Sequence, residues 1–153
     1  MKGPAGFDLQ NRKAIIYGSG NKKLEWTPLS TICTAMVNML KSPEVVINRP
    51  IFILGVNDLT QNTLLAALET ETGRPFKREY VDVVRLKEES MTLLGQGKLK
   101  QAMRGLTIDA QFGGEGERVG FSGKVENELV GVQAVGVGEA VKGAFEAYGF
   151  KVE

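Results

Sequence analysis

The chain has no histidine, a single cysteine and a single tryptophan among its 153 residues. Without histidine there is no Ser-His or Cys-His nucleophile pair and no His-carboxylate metal site. Cys33 has no second cysteine with which to form an internal disulfide or a thiolate cluster. Metal hydrolysis is thereby excluded, and acid-base chemistry falls to carboxylates, lysines and three tyrosines. Strong charge of either sign is also missing. Nineteen lysines and arginines face eighteen acids, so the net charge of +1 provides no field to collect nucleic acid. No apolar run approaches the roughly 18 residues of a membrane span, and Met1-Lys2-Gly3-Pro4 leads into no signal-peptide core. These absences predict a cytoplasmic protein that engages neither membrane nor nucleic acid.

What remains is 42% hydrophobic and 24% charged, enough for one core in a single α/β domain. Gly18-Ser19-Gly20 follows the apolar run Ala14 to Tyr17 and imitates the start of a dinucleotide-binding loop. The imitation fails at the third glycine position, which is Lys23, and Pro28 leaves no room for a helix starting at Gly20. The pattern instead predicts strands at Lys13 to Tyr17 and Leu24 to Trp26 around a Gly-Ser-Gly-Asn turn. A second imitation, Gly136 and Gly138, has Val141 at the third position and too little chain after it for a βαβ unit. No tyrosine has a lysine four residues on, because Tyr17, Tyr80 and Tyr148 are followed at that spacing by Asn21, Val84 and Val152. No catalytic residues and no metal ligands are assigned.

Leu29, Ile32, Cys33, Met36, Val37 and Leu40 form a helical stripe expected to face the core, with Thr27 as N-cap, Pro28 at the first helical position and Ser42-Pro43 as the stop. Cys33 accordingly reads as a small core residue. Pro50 to Leu54 reads as a strand covered on both faces. Thr60 caps a second helix that carries Leu64, Leu65 and Leu68 and ends at Gly73, and Phe76 to Val83 reads as a strand near a sheet edge. Helices follow at Leu86 to Leu94 and Leu99 to Ala110, the latter with Leu99, Ala102, Met103, Leu106 and Ala110 on one stripe and weakened by Gly105. Residues 111–123 are glycine-rich and read as a solvent loop, with a lid or interaction loop as the alternative. The last helix, Val137 to Tyr148, places Val141, Ala144, Phe145 and Tyr148 on one face.

Asn48 to Asp82, an apolar strand, a threonine-capped helix, a Thr-Gly stop and a polar strand, resembles the second half of NmrA-like proteins. These are atypical short-chain dehydrogenase relatives that include isoflavone-reductase-like proteins. Phe7 to Asn21 and Asn127 to Gly131 extend the resemblance in the right order, to about residues 7–148. One departure is Ser30-Thr31-Ile32-Cys33, where the family has an acidic residue followed by Ile-Gly.

The resemblance implies the C-terminal part of an NAD(P)-binding Rossmann-like fold together with a smaller α/β substrate lobe. It also implies that the glycine-rich loop and the catalytic lysine lie upstream, so that NADP or NAD belongs to the complete protein and not to this chain alone. A small apolar or aromatic substrate would be the partner of the complete protein, and Phe7, Trp26 and Phe112 are the expected pocket walls. A non-enzymatic NmrA-type regulator acting by protein binding, and an unrelated small α/β binding domain, stand as alternatives. A severed lobe is expected to expose a sheet face and self-associate through it.

Overall fold

The computed structural model describes residues 6–114 and 124–149. In chain order the elements are β1 (Phe7–Asp8), β2 (Lys13–Tyr17), α1 (Leu29–Lys41), α2 (Gln61–Thr72), β3 (Lys77–Val81), α3 (Val83–Gly95), α4 (Leu99–Phe112) and α5 (Val137–Tyr148), with 3-10 turns at Pro43–Val45 and Glu128–Val130. The protein is mixed α/β, consistent with part of a Rossmann-like fold. It divides into two compact units, residues 1–22 with 60–118 and residues 23–59 with 119–153.

The first unit carries the sheet, in the order β1-β2-β3. β1 pairs antiparallel with β2, Phe7 facing Ala14, and β2 pairs parallel with β3, Ile15 facing Glu79. Ala14 and Ile16 are completely buried, whereas four of the five residues of β3 are exposed, as expected of a polar edge strand. α2 starts where its sequence demands. Thr60 accepts from the Thr63 amide while the Thr63 hydroxyl accepts from the Thr60 amide, a reciprocal capping box, and Gly73 closes the helix in the left-handed conformation. Leu65 and Leu68 supply its buried face.

α3 begins at Val83, earlier than its apolar pattern suggests, because the Asp82 carboxylate accepts from the amides of Val84 and Arg85. It packs along α4. The buried side of α4 is Ala102, Gly105, Asp109 and Phe112, which corrects the expected stripe: Leu99, Met103 and Ala110 face solvent. Gly105 lies on the buried side. A Cβ there would lie 1.9 Å from Ser90 Oγ and 3.2 Å from both Leu86 Cγ and the Leu86 carbonyl, so the glycine permits a close approach of the two helices.

The second unit contains α1, α5 and the irregular chain between them. Its core joins Ala35, Val130 and Val132 to the partly buried Met39, Val46, Ile51 and Ile53. Three expectations fail here. Leu24 to Trp26 forms no strand; the Leu24 amide donates to the Leu59 carbonyl and no ladder continues. Ile51 to Leu54 is half-buried and makes only the isolated parallel bridge Phe52↔Val125, followed by Val56↔Val135. An apolar run becomes a strand only when a neighbouring strand takes its hydrogen bonds. Here several groups share them: the Glu126 amide donates to the Phe52 carbonyl, the Thr27 hydroxyl to the Ile53 carbonyl, and Asn127 takes both bonds of Leu54, its side-chain oxygen accepting from the amide and its nitrogen donating to the carbonyl.

The third correction concerns α1. Its N-cap is Pro28, not Thr27, since the Thr27 hydroxyl donates to the Ile53 carbonyl and accepts from the Gly55 amide. The expected core stripe faces outward, Leu29 being 65% and Leu40 79% exposed. Cys33 is exposed with it, and the buried residue is Ala35. α5 covers the expected residues, with Val141 buried and Tyr148 exposed.

Candidate functional site

The Gly18-Ser19-Gly20 turn is built by backbone that needs positive φ, 61° at Gly18 and 72° at Gly20. Three of its amides are bonded within the protein. The Gly18 amide reaches the Val81 carbonyl, the Gly20 amide the Tyr17 carbonyl, and the Asn21 amide the Ser19 hydroxyl. Asn62, in the first turn of α2, clamps the other side: its amide donates to the Gly20 carbonyl and its side chain to the Ser19 carbonyl and Asn21 Oδ1. A Cβ at Gly20 would lie 2.6 Å from Ile16 Cγ2. A phosphate cradle needs amides aimed outward at a ligand, whereas this turn is a structural joint between β2 and α2.

Two of the three aromatic candidates, Phe7 and Phe112, lie in the first unit and are buried. Phe7 sits on β1 opposite Ala14. Phe112 closes α4 and stacks on Tyr17, with ring centroids 4.8 Å apart and planes at 29°. Just beyond it the Lys22 ammonium donates to the Gly113 carbonyl. Trp26 belongs to the second unit and is half-buried, between the buried Leu24 and the Thr27-Pro28 entry to α1. The structure thus places Phe112 against Tyr17, a pairing that the sequence did not announce.

Asp8 is a titratable group shaped by its surroundings. Hydrogen bonds from the Asn11 side chain and the Asn11 amide hold its carboxyl below the ordinary value of 3.8, against an opposing push from burial. Asp109, on the buried side of α4, meets Lys87 at 3.2 Å. Among the described residues no group of three or more histidine, cysteine, aspartate or glutamate side chains could hold a metal ion. A shallow groove in the second unit is lined by Val125, Glu126, Asn127, Glu128 and Leu129. Among the described residues that lining is one continuous stretch of chain. Among the described residues no helix is long and apolar enough to cross a membrane.

Sequence reasoning missed the three carboxamides that organise the backbone, Gln61, Asn62 and Asn127. The available signal was weak: polar residues directly after a cap or beside a 3-10 turn, in positions where solvent exposure is the ordinary expectation.

Comparison with known proteins supplies the remaining observation. The chain is 34% identical over 115 residues to the protein named oxidoreductase poxI of Penicillium oxalicum, covering 73% of this chain and 35% of that one. It is 33% identical over 113 residues to the protein named oxidoreductase aprR of Aspergillus flavus, covering 72% of this chain and 38% of the relative. The chain therefore spans little more than a third of the length of the curated relatives it matches. No protein-family profile matches it, and no solved structure does.

Proposed function

We propose that this chain is the substrate-side portion of an NAD(P)-dependent reductase of the NmrA-like, isoflavone-reductase-like group, acting in the cytoplasm. The observation that carries the reading is the match itself: about three quarters of the chain is similar to little more than a third of two proteins named oxidoreductases. The α/β build and the parallel β2-α2-β3 unit agree with it.

A dinucleotide does not fit the Gly18-Ser19-Gly20 turn, because the amides of Gly18, Gly20 and Asn21 are already bonded within the chain. We assign cofactor binding, and with it hydride transfer, to residues outside this chain. Its own contribution is shape: Phe7 and Phe112 in the first unit, and separately Trp26 in the second, are each proposed as apolar surface for a small apolar or aromatic substrate. Of these, Trp26 is half-buried, whereas Phe7 and Phe112 are buried.

The alternative is a non-enzymatic NmrA-type regulator that works by protein binding. The outward apolar stripe of α1 favours it.

The intact mass of the native protein in its source cells separates the readings when combined with an NADPH-oxidation assay. A species roughly twice the length of this chain that oxidises NADPH supports the reductase. A species of this length that turns over NADPH unaided overturns the assignment of catalysis to absent residues, and one of this length that binds no dinucleotide favours the regulator.

A further inference from the structure

α3 and α4 form a helical hairpin whose short connection, Gln96-Gly97-Lys98, projects into solvent. Every residue from Met91 to Lys100 is exposed except Leu93, and a Cβ placed at Gly95 or Gly97 meets nothing within 4 Å. The turns that flank this connection nevertheless carry large apolar side chains, Met91 and Leu94 on α3 and Leu99 and Met103 on α4, all of them exposed. Their i,i+3 and i,i+4 spacings put each pair on one side of its helix. Charge at the tip is of one sign. From Ser90 to Ile108 the sequence has no acid and three bases, Lys98, Lys100 and Arg104. Arg85 and Lys87, earlier on α3, pair with Glu89 and Asp109. Lys98 instead meets the neutral side chain of Gln96 at 2.9 Å, and among the described residues neither Lys100 nor Arg104 makes an ion pair.

Apolar side chains and uncompensated cations on one projecting tip call for a partner that is apolar inside and anionic outside. A bilayer with acidic headgroups has that layering, and long basic side chains reach its headgroups while their stems stay with the apolar residues. We infer that the α3-α4 tip docks on an anionic lipid surface, with Met91, Leu94, Leu99 and Met103 entering the acyl boundary and Lys98, Lys100 and Arg104 meeting the headgroups. Charge complementarity selects the occupant: a second copy of this chain would set like charges against each other, and a neutral surface would leave the bases without counter-charges. Shape favours a lipid layer over an acidic helix, because a helix docks in a groove whereas the open space around Gly95 and Gly97 marks a projection. The net charge of +1 gives no expectation of membrane contact, since it averages this acid-free stretch with the acids of the rest of the chain. No cofactor or substrate enters the inference, so it does not depend on the reductase reading.

Co-sedimentation of the full chain with vesicles of phosphatidylcholine alone, or of phosphatidylcholine mixed with phosphatidylserine, tests it. Each base near an acidic surface strengthens binding by about fivefold, so the mixed vesicles should bind at least about tenfold more tightly, and salt should weaken that binding. Lys98→Glu/Lys100→Glu should lower it at least about tenfold. Leu94→Ser/Leu99→Ser, which leaves the charge unchanged, should lower it as well. The control Lys41→Glu/Lys142→Glu makes the same change in net charge at exposed positions of the second unit and should bind as the unaltered chain does. All six positions are exposed, so circular dichroism should show the fold intact in every variant. Equal binding to both kinds of vesicle, binding to neither, or equal losses in the tip and control variants would each overturn the proposal. So would a chain that ignores vesicles and binds an acidic peptide or the unmatched part of a longer relative through the same residues, which would make the tip a protein contact.

Discussion

The side chain of Gln61 occupies the hydrogen-bonding edge of β2 at Tyr17. Its Oε1 accepts from the Tyr17 amide at 2.8 Å and its Nε2 donates to the Ile15 carbonyl at 3.0 Å, with the residue only 1% exposed. One carboxamide thereby satisfies a donor and an acceptor that a further strand would otherwise satisfy. Gln61→Leu keeps the apolar volume but orphans both groups, at a cost of about 1–3 kcal/mol each in the limit of complete burial. Gln61→Glu keeps the acceptor but sets a buried carboxylate against the Ile15 carbonyl. Urea unfolding should rank wild type above both variants; equal stability of wild type and Gln61→Leu would mean that water reaches this edge.

Gly105 gives a prediction whose sign helix propensity alone would get wrong. Alanine is favoured over glycine in a free helix by about 1 kcal/mol. At this crossing the new methyl would meet Ser90 Oγ and Leu86 together, and overpacking of that kind costs about 1–3 kcal/mol. Gly105→Ala should therefore lower the denaturation midpoint. Combining it with Ser90→Gly should cost less than the sum of the two single changes, a coupling that a double-mutant cycle reads directly.

The same helix pair shows what the sequence made legible. Element positions were readable wherever local chemistry sets them: the Thr60 cap and Gly73 stop of α2, the polar edge character of β3, and the break at Gly95-Gln96-Gly97 between α3 and α4. What covers an apolar face was not readable. Period places Leu29, Ile32 and Met36 on one side of α1, but only the partners of Ala35 and Asn38 decide which side turns inward. Ile51 to Leu54 likewise has strand composition without a strand beside it among the described residues. For the proposed pocket, residue type pointed to Phe112, while its stacking on Tyr17 depends on a contact between chain segments ninety-five positions apart.

Asp8 predicts how acid acts on the first unit. Its folded-state pKa lies below the ordinary value, so the stabilisation is fully present above the unfolded value of about 3.9 and is lost as pH falls through the folded value. Asn11→Ala removes the side-chain hydrogen bond, the larger of the two causes, and leaves the backbone amide bond in place, so it should raise the Asp8 pKa part of the way toward 3.8. Titration of the Asp8 carboxyl resonance measures the shift. The stability difference between wild type and Asn11→Ala should be flat at neutral pH and shrink below about pH 4. A difference that grows with acid would contradict the assigned cause.

Asn127 does for the second unit what Gln61 does for the first, with both of its bonds on a single residue, Leu54, at 3.0 and 2.8 Å. Its backbone carbonyl also accepts from the amides of Val130 and Val132, which ties the Glu128–Val130 turn to the core residues Val130 and Val132. Asn127→Ala keeps those backbone bonds and removes only the carboxamide. The loss should therefore be local: faster hydrogen exchange at the Leu54 amide, by about tenfold for each 1.4 kcal/mol of lost protection. Exchange at the Glu126 amide, held by the Phe52 carbonyl at 2.8 Å, reports whether the whole 52–56 segment opens with it. If Leu54 accelerates while Glu126 does not, Asn127 holds one residue in place of a strand. If both accelerate together, the isolated bridges at Phe52 and Val56 exist only because the carboxamide aligns them.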